Sequence, residues 1–102
     1  MTRAFVLIDA VPKHEEDVLE ALGKFPGVVG RRRLQQRVGQ GDIIALLDAS
    51  DGVELEKLIT SRLRSVAWVH AIIRVQPHHT LMGPLLRVME EMHHEADAAK
   101  KS

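Results

Sequence analysis

The segment VGQGDIIALLD, residues 38–48, limits what this chain can fold into more than any other. In extended backbone, successive side chains point to opposite faces. Ile44 and Leu46 then fall on one side, while Ile43, Ala45 and Leu47 fall on the other. A strand that is apolar on both faces must be covered on both. Residues 3–10, RAFVLIDA, make the same demand, with Ala4, Val6 and Ile8 opposite Phe5 and Leu7. With 102 residues the chain can build one domain, and its surface leaves little margin over its core.

The other elements follow from periodicity and punctuation. Residues 13–24 carry Val18, Leu19 and Leu22 at helical spacing, after Glu15, Glu16 and Asp17, whose charges suit a helix start. Phe25-Pro26-Gly27 ends that helix. Residues 28–38 read as a strand with Arg31, Arg33, Gln35 and Arg37 on one face and Val28, Arg32, Leu34, Gln36 and Val38 on the other. The glycine turn then returns the chain into residues 42–47 as a hairpin. A second helix is expected over 51–64, started by Asp51 with Glu54 three residues on. Its buried stripe is Val53, Leu55, Leu58, Ile59 and Leu63, and a last strand over 66–76 is closed by Pro77.

The order βαββαβ is that of a ferredoxin-like α+β fold, a four-stranded antiparallel sheet with two helices on one face. Residues 1–77 form this domain and residues 78–102 a C-terminal helical tail. Gly83-Pro84 opens the tail helix, Leu85, Val88, Met89, Met92 and Ala96 recur on one side, and residues 98–102 should fray. Glu90, Glu91, His93, Glu95 and Asp97 are left for solvent. One narrow stripe is too little to shield four strands. The expectation is therefore a two-fold dimer packed sheet to sheet, a dimeric α/β barrel, with the tail touching its edge or a further subunit.

Composition narrows the function. Fourteen basic and fourteen acidic residues cancel, so no net field draws the chain to DNA or anionic lipid, and copies do not repel one another. Phe5, Phe25 and Trp68 are the only aromatic residues, too few for a base-stacking platform. Cysteine is absent, which fits a reducing compartment and leaves no thiol chemistry. No stretch reaches the roughly 18 apolar residues of a membrane span, and the start is too short and polar for a secretory signal. The expected location is the cytoplasm, with no membrane partner and no direct DNA contact.

At Gly39-Gln40-Gly41-Asp42 followed by Ile43 to Leu47, the chain resembles the effector-binding (RAM) domain of the Lrp/AsnC family. The FVLIDA strand, the Phe25-Pro26-Gly27-Val28 bend and the strand entered near Val69 extend the resemblance over residues 3–76. Gly41 stands where that family usually has Tyr or Phe, and Val66-Ala67-Trp68 lacks its usual Pro-Gly. The chain resembles the stand-alone versions without a helix-turn-helix domain. That resemblance implies dimers and higher rings that bind amino acids between subunits, and a full-length regulator of the family as a possible partner. It also implies a ligand site at the turn Gly39, Gln40, Gly41 and Asp42; separately, the basic run on the second strand offers Arg31 and Arg33 as candidates for an effector's carboxylate.

Each candidate has a plainer use. Glycines give a hairpin its positive φ, Asp42 can bond its own backbone, and arginines on an edge strand can simply be solvated. Glu90 with His93, and Glu91 with His94, have the i, i+3 spacing of carboxylate metal sites. One helix cannot supply the converging ligands, so no metal is expected, even with His78 and His79 nearby. Ser50, Thr60, Ser61 and Ser65 suit caps and surface, and no catalytic set or cofactor fingerprint stands out. The reading is a non-enzymatic, amino-acid-binding regulatory domain without cofactor. Two alternatives stay open. One is an interaction module like the maturation chaperones of periplasmic nitrate reductase, which share the strand order and bend. The other is a small oxygenase or haem-related enzyme of the dimeric barrel group, lined by Trp68 and His70.

Overall fold

The computed structural model describes residues 1–38, 41–75 and 82–101. Four strands, β1 (Thr2–Ala10), β2 (Val28–Val38), β3 (Gly41–Ala49) and β4 (Val69–Arg74), form one antiparallel sheet in the order β2-β3-β1-β4. The two strands apolar on both faces, β1 and β3, are thus the two central ones. Burial is complete from Ile43 to Leu47, and the edges fall to the arginine-rich β2 and the short β4.

Helices α1 (Glu15–Leu22) and α2 (Gly52–Lys57) cover one face. Their Val18, Leu22 and Leu55 pack on Ala4, Val6, Ile8, Ile43, Ala45 and Leu47. Asp51 caps α2, its carboxylate accepting from the Glu54 amide at 2.9 Å. Beyond Lys57 the expected single helix widens into a π turn (Leu58–Arg62) and tightens into a 3₁₀ turn (Leu63–Ser65). The Thr60 hydroxyl donates to the Glu56 carbonyl at 2.7 Å, competing for the ladder at this point. The irregular stretch still delivers Leu58, Ile59 and Leu63 to the core, as their spacing predicts.

A bulge alters β2. Val28 lies opposite Leu47, but Gly30 lies opposite Leu46, so Val29 is extra. Side-chain parity reverses there. Val28 joins Arg31 and Arg33 on the α1 side instead of sharing a face with Arg32 and Leu34.

The main correction concerns the other face. Helix α3 (Met82–Lys101) lies across it within the same chain. Leu85, Met92 and Ala96 are buried against Leu7, Ile44 and Leu46, with Val88 and Met89 packed at the margin. The tail was expected to be too narrow for this. It succeeds because β2 narrows beneath it: Gly30 has no side chain, and a Cβ there would stand 3.3 Å from Met92 Cε. The helix also continues to Lys101, past the point where fraying was expected. The demand for a second copy on this face is met in cis. Most of the polar residues assigned to solvent meet cations instead: Arg32 holds Glu91 at 2.6 Å and Glu95 at 2.7 Å. Arg3 donates to Asp97 at 3.1 Å and to His93 Nδ1 at 2.8 Å.

Candidate functional site

The expected site residues separate. Gly39, Gln40, His78 and His79 lie outside the described residues. Gly41 opens β3 against Leu7, and a Cβ at 41 would come within 2.8 Å of Leu7 Cβ. There is no room for the aromatic residue that the resembling family carries, so Leu7 takes that space. Asp42 is 9% exposed, and one of its oxygens accepts from the Ala10 amide at 3.4 Å. That contact joins β3 to the end of β1 rather than bonding the turn's own backbone.

The arginines sit elsewhere, on β2. Alternation sends Arg32 to the α3 face and Arg31 and Arg33 to the α1 face. Together with Glu16, Leu19 and Glu20 of α1 they line a shallow groove of about 560 Å³. Arg33 donates to Glu16 at 3.1 Å. The Arg31 guanidinium lies over Gly23, where a Cβ would meet it at 2.7 Å, so the cation sits at the C-terminal end of α1. A cation at that end is favoured by the helix dipole. Among the described residues Arg31 has no carboxylate partner, and neither has Glu20. The groove thus offers an available cation, an available acid and the apolar Leu19 side by side. On the other side of β2, a second cleft of about 400 Å³ runs between Leu34 and Leu85–Val88 of α3, rimmed by Arg32, Arg33, Gln35 and Gln36.

Electrostatics separate the arginines further. The hydrogen bond that Arg3 donates to Asp48, opposed by desolvation and aided by Asp97, raises the Arg3 pKa above its ordinary value. That of Arg32 is raised by Glu91, against desolvation and with help from Glu95. The Arg32 hydrogen bond in turn holds the Glu91 carboxyl below its usual range. These cations are committed to holding the fold. Arg31 is not.

A junction at the far end of β1 has no signal in the sequence. Lys13 and Trp68, neither of them glycine, adopt positive φ of 74° and 71°. The Val11 amide donates to the Trp68 carbonyl at 2.8 Å, and the indole stacks on the His14 ring with centroids 3.7 Å apart. Trp68 therefore precedes β4 rather than lying in a strand, and His70 is exposed on it. No cluster of three metal-ligating side chains occurs among the described residues: His93 faces Arg3 and Asp97, and Glu91 faces Arg32. Thr60 and Ser65 bond their own backbone. No described helix is long and apolar enough to cross a membrane.

No family model matches the sequence, and no curated protein does. Solved structures do match. FFRP-DM1 superposes with a TM-score of 0.66 at 23% identity, over 74% of this chain and 96% of its own. The transcriptional regulator NMB0573 from Neisseria meningitidis, solved with L-Met, gives 0.60 at 21% over 84% of this chain and 58% of its own. PF0864 from Pyrococcus furiosus, a regulator of the AsnC family, gives 0.53 at 23% over 81% and 58%. The Tat proofreading chaperone NapD of E. coli gives 0.59 at 22% over 76% and 78%. Three of these carry the names of regulators or a chaperone, and at such identities the likeness is one of fold. The resemblance to the Lrp/AsnC effector-binding domain holds at that level: this chain has the ferredoxin-like α+β fold of those regulators, with a C-terminal helix laid over the sheet.

Proposed function

We propose that this chain is a non-enzymatic regulatory module that binds a small zwitterion of the amino-acid class in the groove between β2 and α1. The observation that carries the proposal is that Arg31 and Glu20, neither with an ion-pair partner among the described residues, line one groove with Leu19. A guanidinium takes a carboxylate in a two-pronged bond, a carboxylate takes an ammonium, and a leucine takes an aliphatic side chain. The fold shared with a regulator solved with L-Met supports the ligand class. The groove is shallow, so an affinity no tighter than micromolar to millimolar suits it. Calorimetry with each of the twenty amino acids tests the reading. Heat from one or a few of them, lost in Arg31→Ala and in Glu20→Ala, is expected. Flat traces across the set at millimolar concentration refute it.

A second reading, a protein-interaction module, is favoured by one observation: the sheet face is occupied in cis, so no second copy is needed to stabilise the fold. The likeness to NapD is compatible with it. If calorimetry is flat and the chain stays a lone protomer under all conditions, this reading replaces the first.

A further inference from the structure

Strand β2 is an edge of the sheet, bonded to β3 on one side only. It runs for 11 residues, where about five or six is usual. Its pairing breaks near the far end. Arg33 lies opposite Ile43 and Val38 opposite Gly41, so β2 spends Leu34 to Arg37 against Asp42 alone. Four residues against one make a large bulge, and bulges end pairing and re-aim side chains beside functional sites. The cleft of about 400 Å³ lies along this stretch. Its lining among the described residues is Arg32 to Gln36, five in a row, with Leu85 and Val88 of α3, and none of it comes from β3. Residues of both faces line it, so it follows the free edge of the strand. Leu34, Leu85 and Val88 make its apolar side.

We propose that this edge takes an extended segment of a partner protein as an added strand, one in which acidic and aliphatic side chains alternate. A free edge presents backbone N–H and C=O groups that an extended chain can match, and pockets for alternate side chains then set specificity. Side chains of neighbouring strands meet on the same face. On the α1 face the newcomer meets Arg31, which has no carboxylate partner among the described residues. It also meets Arg33, whose bond to Glu16 joins side chains 51% and 75% exposed. So exposed a pair is weak and exchanges readily for another carboxylate. On the α3 face it meets Leu34, where an aliphatic side chain fills the cleft against Leu85 and Val88. The same charges turn away a second copy, since two β2 edges side by side set one arginine run against the other. The site stands apart from the amino-acid reading, because Leu34 belongs to this cleft and not to the β2–α1 groove.

The probe is the peptide Glu-Leu-Glu-Leu-Glu-Leu, dye-labelled at its N-terminus and amidated at its C-terminus, added to the full chain. Saturable binding is expected in fluorescence anisotropy, with the strongest NMR amide shifts at residues 32–36, Leu85 and Val88. Glu-Ser-Glu-Ser-Glu-Ser leaves the apolar side of the cleft empty and is expected to bind at least about tenfold more weakly. Leu34→Asn is expected to weaken the leucine peptide by a similar factor. Arg33→Glu, at an exposed position, is expected to turn the preference from the acidic peptide toward Lys-Leu-Lys-Leu-Lys-Leu. Flat anisotropy at millimolar chain overturns the proposal. So does equal binding of the three peptides, binding unchanged in Arg33→Glu, or amide shifts centred on β4, the other edge.

Discussion

The two faces of the sheet show what different kinds of cover do. Leu47 points to α1 and α2, among fully buried neighbours from five elements. Leu46, one residue earlier, points to α3 and meets a single helix. Both side chains are fully buried. What differs is the stiffness of what lies above them. One cover is tied into the sheet through strand connections on both sides, and the other is a terminal helix held by its stripe and its rim charges.

Truncating each leucine measures that difference. Leu47→Ala is expected to cost about 4 kcal/mol, because its surroundings cannot collapse into the cavity. Leu46→Ala is expected to cost about 2 kcal/mol, near the low end for such changes, because α3 can settle inward. Urea unfolding of both variants measures the gap, and equal losses would mean that the two covers are equally rigid.

Two glycines sharpen the same contrast from the opposite direction. A Cβ on Gly27 would come 2.5 Å from Leu58 Cδ2 and 3.3 Å from the Asp48 carbonyl, and Leu58 is locked in the core. Gly27→Ala is expected to cost about 2 kcal/mol through overpacking. At Gly30 the neighbour is the flexible end of Met92 at 3.3 Å, so Gly30→Ala is expected to cost less than about 1 kcal/mol. Thermal unfolding ranks the pair, and the reverse order would place the rigid cover on the α3 side.

The smallest effect is one of pH. Because Arg32 holds the Glu91 carboxyl below its ordinary value, the folded state keeps that proton off more readily than the unfolded chain does. The contribution is complete above the ordinary glutamate value and is lost as pH falls through the lowered one. Arg32 itself is raised and stays cationic throughout. Acid below the ordinary glutamate range is therefore expected to loosen α3 before α1, as seen in NMR amide signals of the two helices. Simultaneous loss of both would show that the rim charges do not hold the tail.

Much of this was legible in the chain. The both-sided apolar pattern of residues 3–10 and 43–47 identified the central strands, and the stripe from Leu85 to Ala96 identified a helix that must dock. Where it docks was not legible. That depends on the space left by Gly30 and on charges at positions 91, 95 and 97 finding Arg32 and Arg3, relations between residues some sixty to ninety positions apart. The bulge at Val29 defeated simple alternation, since one extra residue exchanges faces for everything before it. Of the proposed groove, Arg31 was named from the sequence and its neighbour Glu20 was not, because α1 and β2 come together only in the folded chain. Asp42, a candidate ligand group in the sequence, accepts from the Ala10 amide, a contact that no local pattern announces.

The stack of Trp68 on His14 has a practical consequence. The molecule owns one indole and no tyrosine, and that indole sits at the β1–α1 junction, stacked on His14 and outside the buried cluster that α3 forms among the described residues. Its emission is thus a private optical channel for one layer of the protein. A tail that swings away leaves the signal dark to the event, while circular dichroism still sees the helix. Whoever follows this chain by tryptophan light alone will record a single clean transition and miss half of what moves.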